Sequence, residues 1–190
     1  MRKIFLTGLG LALAVVSHPS SAVSDTSPNG ASFASVIVQD RKELRMTGTG
    51  ILKYLRVFKV YTAAFYLESD ASVDEVLDDT AKRFEVSYLR PFDAKDFGNA
   101  TDEALRKSIS SSEIKRLRSR IDYHNSLYES VEKGDRYAVT YIPGKGTELA
   151  RNGSVVGVIE GADFAAALFS IWVGDNPIDQ KFRQELLGIR

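Results

Sequence analysis

The chain has 190 residues, 44% of them hydrophobic and 26% charged, and its 25 basic and 25 acidic residues give a formal net charge of zero. Such a chain folds as one domain or at most two small ones, and it has no basic excess with which to bind nucleic acid. It contains no cysteine and only two histidines, which excludes disulfides and thiolate metal sites and argues against a histidine-based metal site. We therefore expect no nucleic-acid partner, no metal and no cofactor.

The first residues resemble an export signal. Arg2 and Lys3 precede an apolar run from Ile4 to Val16, and small residues stand at Ser20 and Ala22. This order predicts a secretory signal peptide over residues 1–22, cut after Ala22, followed by a single domain over residues 23–190. The apolar run is shorter than the ~20 residues of a spanning helix. We expect a periplasmic or secreted protein with no stable membrane anchor after cleavage.

The first half of the mature chain predicts strands. Phe33 to Val38 and Glu43 to Thr47 form a predicted hairpin across a turn at residues 40–42, and a bend is predicted at Gly48 and Gly50. A long strand then runs towards Glu68, rich in β-branched and aromatic residues. Its alternate residues place Lys59 and Tyr61 on one face. Both faces are largely apolar, so we expect this central strand to be covered on both sides.

The second half mixes helices and strands. The predicted helices are a short one capped by Ser72, one capped by Asp93, one from Glu113 to about Glu132 with Tyr128 and Val131 on its apolar stripe, one capped by Asp163, and a last one with Pro177 at its first position and Gly188 just past its end. The predicted strands are Lys82 to Leu89, with Phe84, Val86 and Tyr88 on one face, then Tyr137–Ile142, and then Thr147–Ala150 and Val155–Ile159, which pair across a turn at Asn152-Gly153. About seven strands, mostly linked as hairpins, predict an α+β domain: an antiparallel sheet with helices packed on one face.

His124 falls on the apolar stripe of the second long helix. A histidine there is either a ligand or general base, or a packed residue with one satisfied hydrogen bond. No second histidine or cysteine of the mature chain exists to assist it, so the packed interpretation is favoured.

Several segments taken in order resemble one family. The segments GTGILKYLRVFKVYTAAFYLE, YLRPFDAKDF, RIDYHNSLY, YIPGKGTELARNGSVVGVIEGADF and LFSIWVGDNPID, with a closing LLG, resemble the chalcone isomerase-like family, and within it the exported bacterial branch. The resemblance covers about residues 32–188. It implies an open-faced β-sandwich, in which a ligand cleft lies between the long central strand and the layer of helices.

The family's catalytic positions differ in this chain. The plant enzymes close a chalcone to a flavanone, using an arginine just after the Gly-x-Gly segment together with a threonine and a tyrosine near the ketone. By resemblance, these positions are Leu52, Tyr61 and Phe97 here. Leu52 has no charge to favour an anionic substrate, and Phe97 has no hydroxyl to stabilise a developing enolate. We therefore predict that this protein is not a chalcone isomerase.

Three functions remain in competition. The first is a non-catalytic binder of a small apolar or fatty-acid-like ligand, as in the plant relatives that hold an acyl chain in this cleft; its predicted ligand-binding residues are Leu52, Lys53, Lys59, Tyr61 and Phe97. In it, Lys59 pairs with a carboxylate while Tyr61 donates a hydrogen bond; the alternative is that both lysines point outward and Tyr61 is core. The second is an interaction or structural protein of the envelope with a closed cleft, and the third an isomerase of unknown substrate.

Overall fold

The computed structural model describes residues 24–26, 31–55 and 57–189. The strands are β1 Ser24–Thr26, β2 Ser32–Ala34, β3 Val36–Gln39, β4 Lys42–Tyr54, β5 Phe58–Glu68, β6 Lys82–Tyr88, β7 Arg136–Ile142, β8 Gly146–Arg151 and β9 Ser154–Ile159. The helices are α1 Ala94–Ser108, α2 Ser111–Ser126, α3 Ala162–Val173 and α4 Gln180–Leu187, with a 3-10 turn at Val73–Glu75. The predicted signal peptide lies outside the described residues.

Strands β3 to β9 form one seven-stranded sheet in chain order, each antiparallel to the next, and β1 and β2 pair separately. Helices α1 and α2 follow β6, and α3 and α4 follow β9. All four helices contribute buried side chains to one core against the sheet. The predicted α+β architecture, with helices on one face of an antiparallel sheet, is therefore confirmed.

The central strand β5 is buried on both faces, as its sequence predicts. Its residues from Tyr61 to Leu67 are all buried. Tyr61 and Phe65 face the helices, whereas Tyr66 packs on the opposite face with Phe33 of β2. The small cluster around Phe33 explains the second apolar face of the strand.

The predicted bend at Gly48 and Gly50 is wrong, because both glycines lie inside β4. They are needed for packing instead. A Cβ atom at Gly48 would overlap the backbone oxygen of Glu185, and one at Gly50 would lie 2.8 Å from the ring of Phe182. The glycines thus let α4 approach the strand closely.

Two other observed boundaries in the strand region differ from the predicted ones. The strand predicted over residues 33–38 is broken at Ser35, so that β2 pairs with β1 and β3 pairs with β4. The turn after it is observed at Asp40 and Arg41, which both have positive φ. The predicted hairpin at Asn152-Gly153 is confirmed, with φ of 49° and 85° at the two turn residues.

The predicted helices are present, but some of them begin or end at other residues than the sequence predicts. Helix α2 ends at Ser126 rather than near Glu132, because Val131 exchanges two backbone hydrogen bonds with Phe92. Asp163 is not the cap of α3; Gly161 holds that position.

The Asp163 carboxylate instead pairs with the guanidinium groups of Arg116 and Arg120, which ties α3 to α2. Helix α4 is capped by Asp179, two residues beyond the predicted Pro177 start. The predicted caps at Ser72 and Asp93 and the Gly188 end are observed. No helix of the described ranges is long and apolar enough to cross a membrane.

Candidate functional site

Leu52 and Tyr61 lie directly opposite each other on β4 and β5. Both side chains are buried in the core beneath the helices. The Tyr61 hydroxyl accepts a hydrogen bond of 3.2 Å from Nε1 of Trp172 on α3. Burial raises the pKa of Tyr61, so this side chain is a neutral phenol near pH 7.

Phe97 reaches the same region from α1. Its ring stacks on Tyr128 with centroids 4.7 Å apart, and it meets the edge of Tyr88 at 5.6 Å. Tyr88 in turn contacts Tyr61 at 5.8 Å. The ring of Tyr88 therefore connects Phe97 with Tyr61, and Tyr61 is in turn the strand partner of Leu52.

Four tyrosines lie close together in this region. We refer to Tyr61, Tyr88, Tyr128 and Tyr137 as the tyrosine cluster. Burial raises the pKa of all four, so each keeps its hydroxyl proton near neutral pH. The Tyr137 hydroxyl accepts a hydrogen bond of 2.8 Å from the backbone N–H of Glu129. The cluster is a set of neutral donors and acceptors in apolar surroundings.

Sequence reasoning found only Tyr61 of this cluster. Tyr88 was placed on the face of its strand that it does occupy, and this was the one available signal. Tyr128 was assigned to a helix, but it lies beyond the end of α2. Its stacking on Phe97 depends on that irregular segment, which no sequence period marks.

The two candidate lysines lie apart from the buried hydroxyl. A register shift after Leu52 places Lys53 opposite Lys59 near the outer end of the β4–β5 hairpin. Both side chains are exposed. The structure therefore brings Lys53 and Lys59 together at the surface and Leu52 and Tyr61 together in the interior, with the partly buried Phe97 connected to Tyr61 through Tyr88.

An open cleft of about 880 Å³ lies between β4 and α4. Among the described strands, β3 pairs only with residues 42–45 of β4, and no described strand pairs with the outer edge of β4 further along. The cleft is lined by Thr49, Gly50, Ile51, Lys53, Asp179, Gln180, Lys181, Phe182 and Glu185. Of the five predicted ligand-binding residues, only Lys53 lines it.

Phe182 connects the cleft to the interior. Its ring lines the cleft and also contacts Tyr61, with centroids 5.9 Å apart. The cleft is therefore separated from the tyrosine cluster by one aromatic ring.

The charges along the cleft leave one cation for a ligand. Asp179 Oδ1 accepts a hydrogen bond of 2.8 Å from the Phe182 backbone N–H, and Lys181 pairs with Glu185 at 3.8 Å. Within the part of the chain that the structure describes, the side chain of Lys53 makes no hydrogen bond or ion pair. An anionic group entering the cleft meets Lys53 without displacing an existing partner.

His124 is packed in the core. Its Nε2 lies 3.4 Å from the Tyr128 hydroxyl, and its Nδ1 lies 3.4 Å from Asn125 Oδ1. Burial lowers its pKa to about 4. The gap beside it, between α1, α2 and α3, is too small for a water molecule. No group of three or more metal-ligating side chains occurs among the residues described.

The sequence matches one known family over most of its length. The family described as chalcone isomerase-like matches residues 26–188. No curated protein sequence matches the chain.

A solved structure shares the fold. The crystal structure of a fatty-acid binding protein of Arabidopsis thaliana superimposes with a TM-score of 0.69, covering 87% of this chain and 96% of that chain at 16% sequence identity. At this identity the similarity establishes a common fold.

Proposed function

Because the chain belongs to the chalcone isomerase-like family, we propose that it is a non-catalytic binding protein for an apolar carboxylic acid of the fatty-acid class. The observation that carries the proposal is the cleft of about 880 Å³, which is lined by the exposed Lys53 and the buried Phe182. This volume is within the range of small-molecule sites. The fatty-acid binding protein that shares the fold supports the same ligand class.

The proposed binding mode follows the distribution of charge. The carboxylate stays near water and pairs with Lys53 and Lys59, which lie opposite each other. The apolar part lies against Ile51 and Phe182 in the cleft. Placing the carboxylate among the buried aromatic rings is disfavoured, because an ionised group there loses its hydration without gaining a cation.

Catalysis of chalcone closure is not part of the proposal. By resemblance, the position of the family's arginine is the aliphatic Leu52, and that of its tyrosine is Phe97. The hydroxyl of Tyr61 is buried and already bonded to Trp172. Each missing oxyanion-type donor commonly costs ~10²–10³ in rate, so the disappearance of a chalcone should match the spontaneous rate when the protein is added.

A second candidate function is supported by the packing of the interior. The rings of Phe97, Tyr128 and Tyr137 are in mutual contact, and Tyr61 packs against Tyr88 and Phe182. An interior filled in this way favours an envelope protein that acts through its surface. That candidate predicts no affinity for apolar acids.

The two candidates are separated by titration with a fatty acid and with the alcohol of the same chain length. If the protein binds fatty acids, both ligands should bind. Lys53→Ala or Lys59→Ala should lower the affinity for the acid by up to about fivefold, the effect of an exposed ion pair, and leave the affinity for the alcohol unchanged. Lys133→Ala, an exposed lysine on another surface, is the matched control. Equal loss for acid and alcohol removes the lysines from the site, and binding of neither ligand favours the surface-acting protein.

Export is proposed separately, on the order of charge, apolar run and small residues in positions 1–22. Mass analysis of the protein recovered from the periplasm or medium should give a chain that begins at Val23. Recovery of the intact chain from the cytoplasm would contradict export.

A further inference from the structure

The tip of the β4–β5 hairpin exposes large apolar side chains. Tyr54, Leu55, Val57 and Phe58 are exposed by 64%, 67%, 72% and 54%, and we call these four residues the hairpin tip. Tyr54 and Phe58 form the last pair of the ladder. The Val57 N–H donates a 3.2 Å hydrogen bond to the Tyr54 carbonyl, which closes the turn.

This clustering differs from the rest of the surface. Single exposed apolar side chains are ordinary in soluble proteins, and Val38 and Tyr123 are examples here. Within the described ranges, no other five-residue stretch carries four exposed large apolar side chains. The hairpin tip therefore requires an explanation that the scattered residues do not.

The hairpin segment that carries the tip has charges of one sign. Lys53 and Lys59 flank it on the two strands and are exposed. No acidic residue occurs in the sequence between Glu43 and Glu68, although the whole chain is formally neutral. The hairpin segment that carries the apolar side chains is thus basic, whereas Asp179 and Glu185 line the cleft that Lys53 also lines.

We propose that the hairpin tip inserts into the interfacial region of an anionic phospholipid bilayer. Leu55 and Val57 would reach the boundary of the acyl chains, and Tyr54 and Phe58 would lie at the level of the headgroups, where amphipathic and aromatic side chains are favoured. Lys53 and Lys59 would contact the lipid phosphates. The proposal does not depend on whether the cleft binds a ligand.

A bilayer fits this surface better than a protein does. Four side chains cover far less than the ~800 Å² per partner of a stable protein interface, whereas interfacial lipid binding needs only a few inserted side chains plus basic residues. A second copy of the chain would bring the lysines of both copies together. The absence of acidic residues from the hairpin between Glu43 and Glu68 therefore points to an anionic lipid surface.

Vesicle flotation of the mature chain tests the proposal with matched variants. We expect binding to vesicles of equal parts phosphatidylglycerol and phosphatidylcholine, and weaker binding to phosphatidylcholine alone. The double variant Val57→Ser, Phe58→Ser should bind at least about tenfold less tightly, because it loses most of the inserted apolar area. The control Val38→Ser, Tyr123→Ser changes residues exposed by 71% and 49% and should bind as the unchanged protein does.

The lysines are tested in the same assay. Lys53→Gln, Lys59→Gln should lower affinity for the anionic vesicles by roughly fivefold per lysine and leave binding to neutral vesicles unchanged. Lys115→Gln, Lys133→Gln, also exposed, is the charge-matched control. Equal losses in the two double variants would mean general electrostatic adsorption and would overturn the proposal.

Because the chain has no cysteine, one introduced cysteine can carry a polarity-sensitive fluorophore at a defined place. With Val57→Cys we expect a blue shift on addition of the anionic vesicles, and with Val38→Cys we expect none. A shift at both positions or at neither overturns insertion by the hairpin tip. Insertion would also be overturned by a concentration-dependent dimer that Val57→Ser abolishes, because the hairpin tip would then bind a second copy of the chain.

Discussion

Nε1 of Trp172 donates a 3.2 Å hydrogen bond to the hydroxyl of Tyr61, across 111 residues of sequence. The bond joins α3 to the central strand β5 at the centre of the layer between sheet and helices. Tyr61 is buried and has no other hydrogen-bond partner among the described residues. The interior position that the family resemblance singled out is thus also a point where the fold is held together.

Removing the donor should destabilise the protein more than removing both partners. Trp172→Phe leaves the buried Tyr61 hydroxyl without a partner, at a cost of about 1–3 kcal/mol for the hydroxyl alone, in addition to lost packing. In the background of Tyr61→Phe, the same change should cost less by about that amount. Urea unfolding followed by circular dichroism measures the four proteins, since Trp172 is the single tryptophan of the chain.

Additive effects in this cycle would mean that the hydrogen bond contributes nothing measurable. The cycle isolates the pair because packing losses of Trp172→Phe are common to both backgrounds.

The glycines of β4 should tolerate a methyl group poorly. Gly48→Ala places a Cβ against the backbone oxygen of Glu185, which cannot move without shifting α4, so we expect a loss of about 2 kcal/mol or more in the free energy of unfolding. Gly50→Ala meets the side chains of Phe182 and Glu185 rather than backbone atoms, and should cost less.

The matched control is Gly98→Ala in α1, where the nearest atom would be 3.6 Å away and alanine is the better helix former. This variant should be neutral or slightly stabilising. A Gly48→Ala protein as stable as Gly98→Ala would contradict the role given to α4.

Acid should destabilise the protein through His124. Burial lowers the pKa of this group to about 4 from 6.5, so the folded state binds fewer protons than the unfolded state between these values. The contribution of uncharged His124 to the free energy of unfolding is therefore fully present above about pH 6.5. It is lost as the pH falls towards 4, by up to about 3 kcal/mol. Proton NMR of the mature chain, in which His124 is the single histidine, should give a midpoint near 4; a midpoint near 6.5 would contradict its burial.

Lys82 should make the protein relatively more stable at alkaline pH. It is fully buried on β6, with its ammonium 5.4 Å from the ring centroid of Tyr141, and burial lowers its pKa to about 8 from 10.5. The unfolded state binds more protons between these values, so this contribution to stability rises with pH from about 8 to 10.5.

The comparison that isolates this effect is with Lys82→Met, which cannot titrate. The stability of the unchanged protein relative to this variant should increase from pH 7 to pH 9.5. The exposed Lys133→Met should show no such change, and a difference that is constant with pH would contradict a lowered pKa for Lys82.

The sequence predicted the sheet and the helices because their signals are local. Alternation along β5 and β6, the Asn152-Gly153 turn and the caps at Ser72 and Asp93 each depend on a few neighbouring residues. The glycines of β4 were misinterpreted because their role depends on α4, more than 130 residues later (Gly48 meets Glu185). Only the folded chain shows that contact.

The candidate site was predicted in part for the same reason. Tyr61 and Leu52 could be named from resemblance and strand period, and the structure places them opposite each other. The stacking of Tyr128 on Phe97 and the contribution of Phe182 to the cleft depend on segments that meet only in the folded protein. The ligand-binding role of all five residues, Leu52, Lys53, Lys59, Tyr61 and Phe97, stays a prediction.

The central claim is tested most directly by native mass spectrometry of the protein purified from its own compartment, with organic extraction of any bound molecule. We predict a complex with one apolar carboxylic acid, which is released on extraction and rebinds more weakly to Lys53→Ala. A mass equal to that of the chain alone, unchanged after incubation with fatty acids, would contradict the claim and favour a protein that acts through its surface.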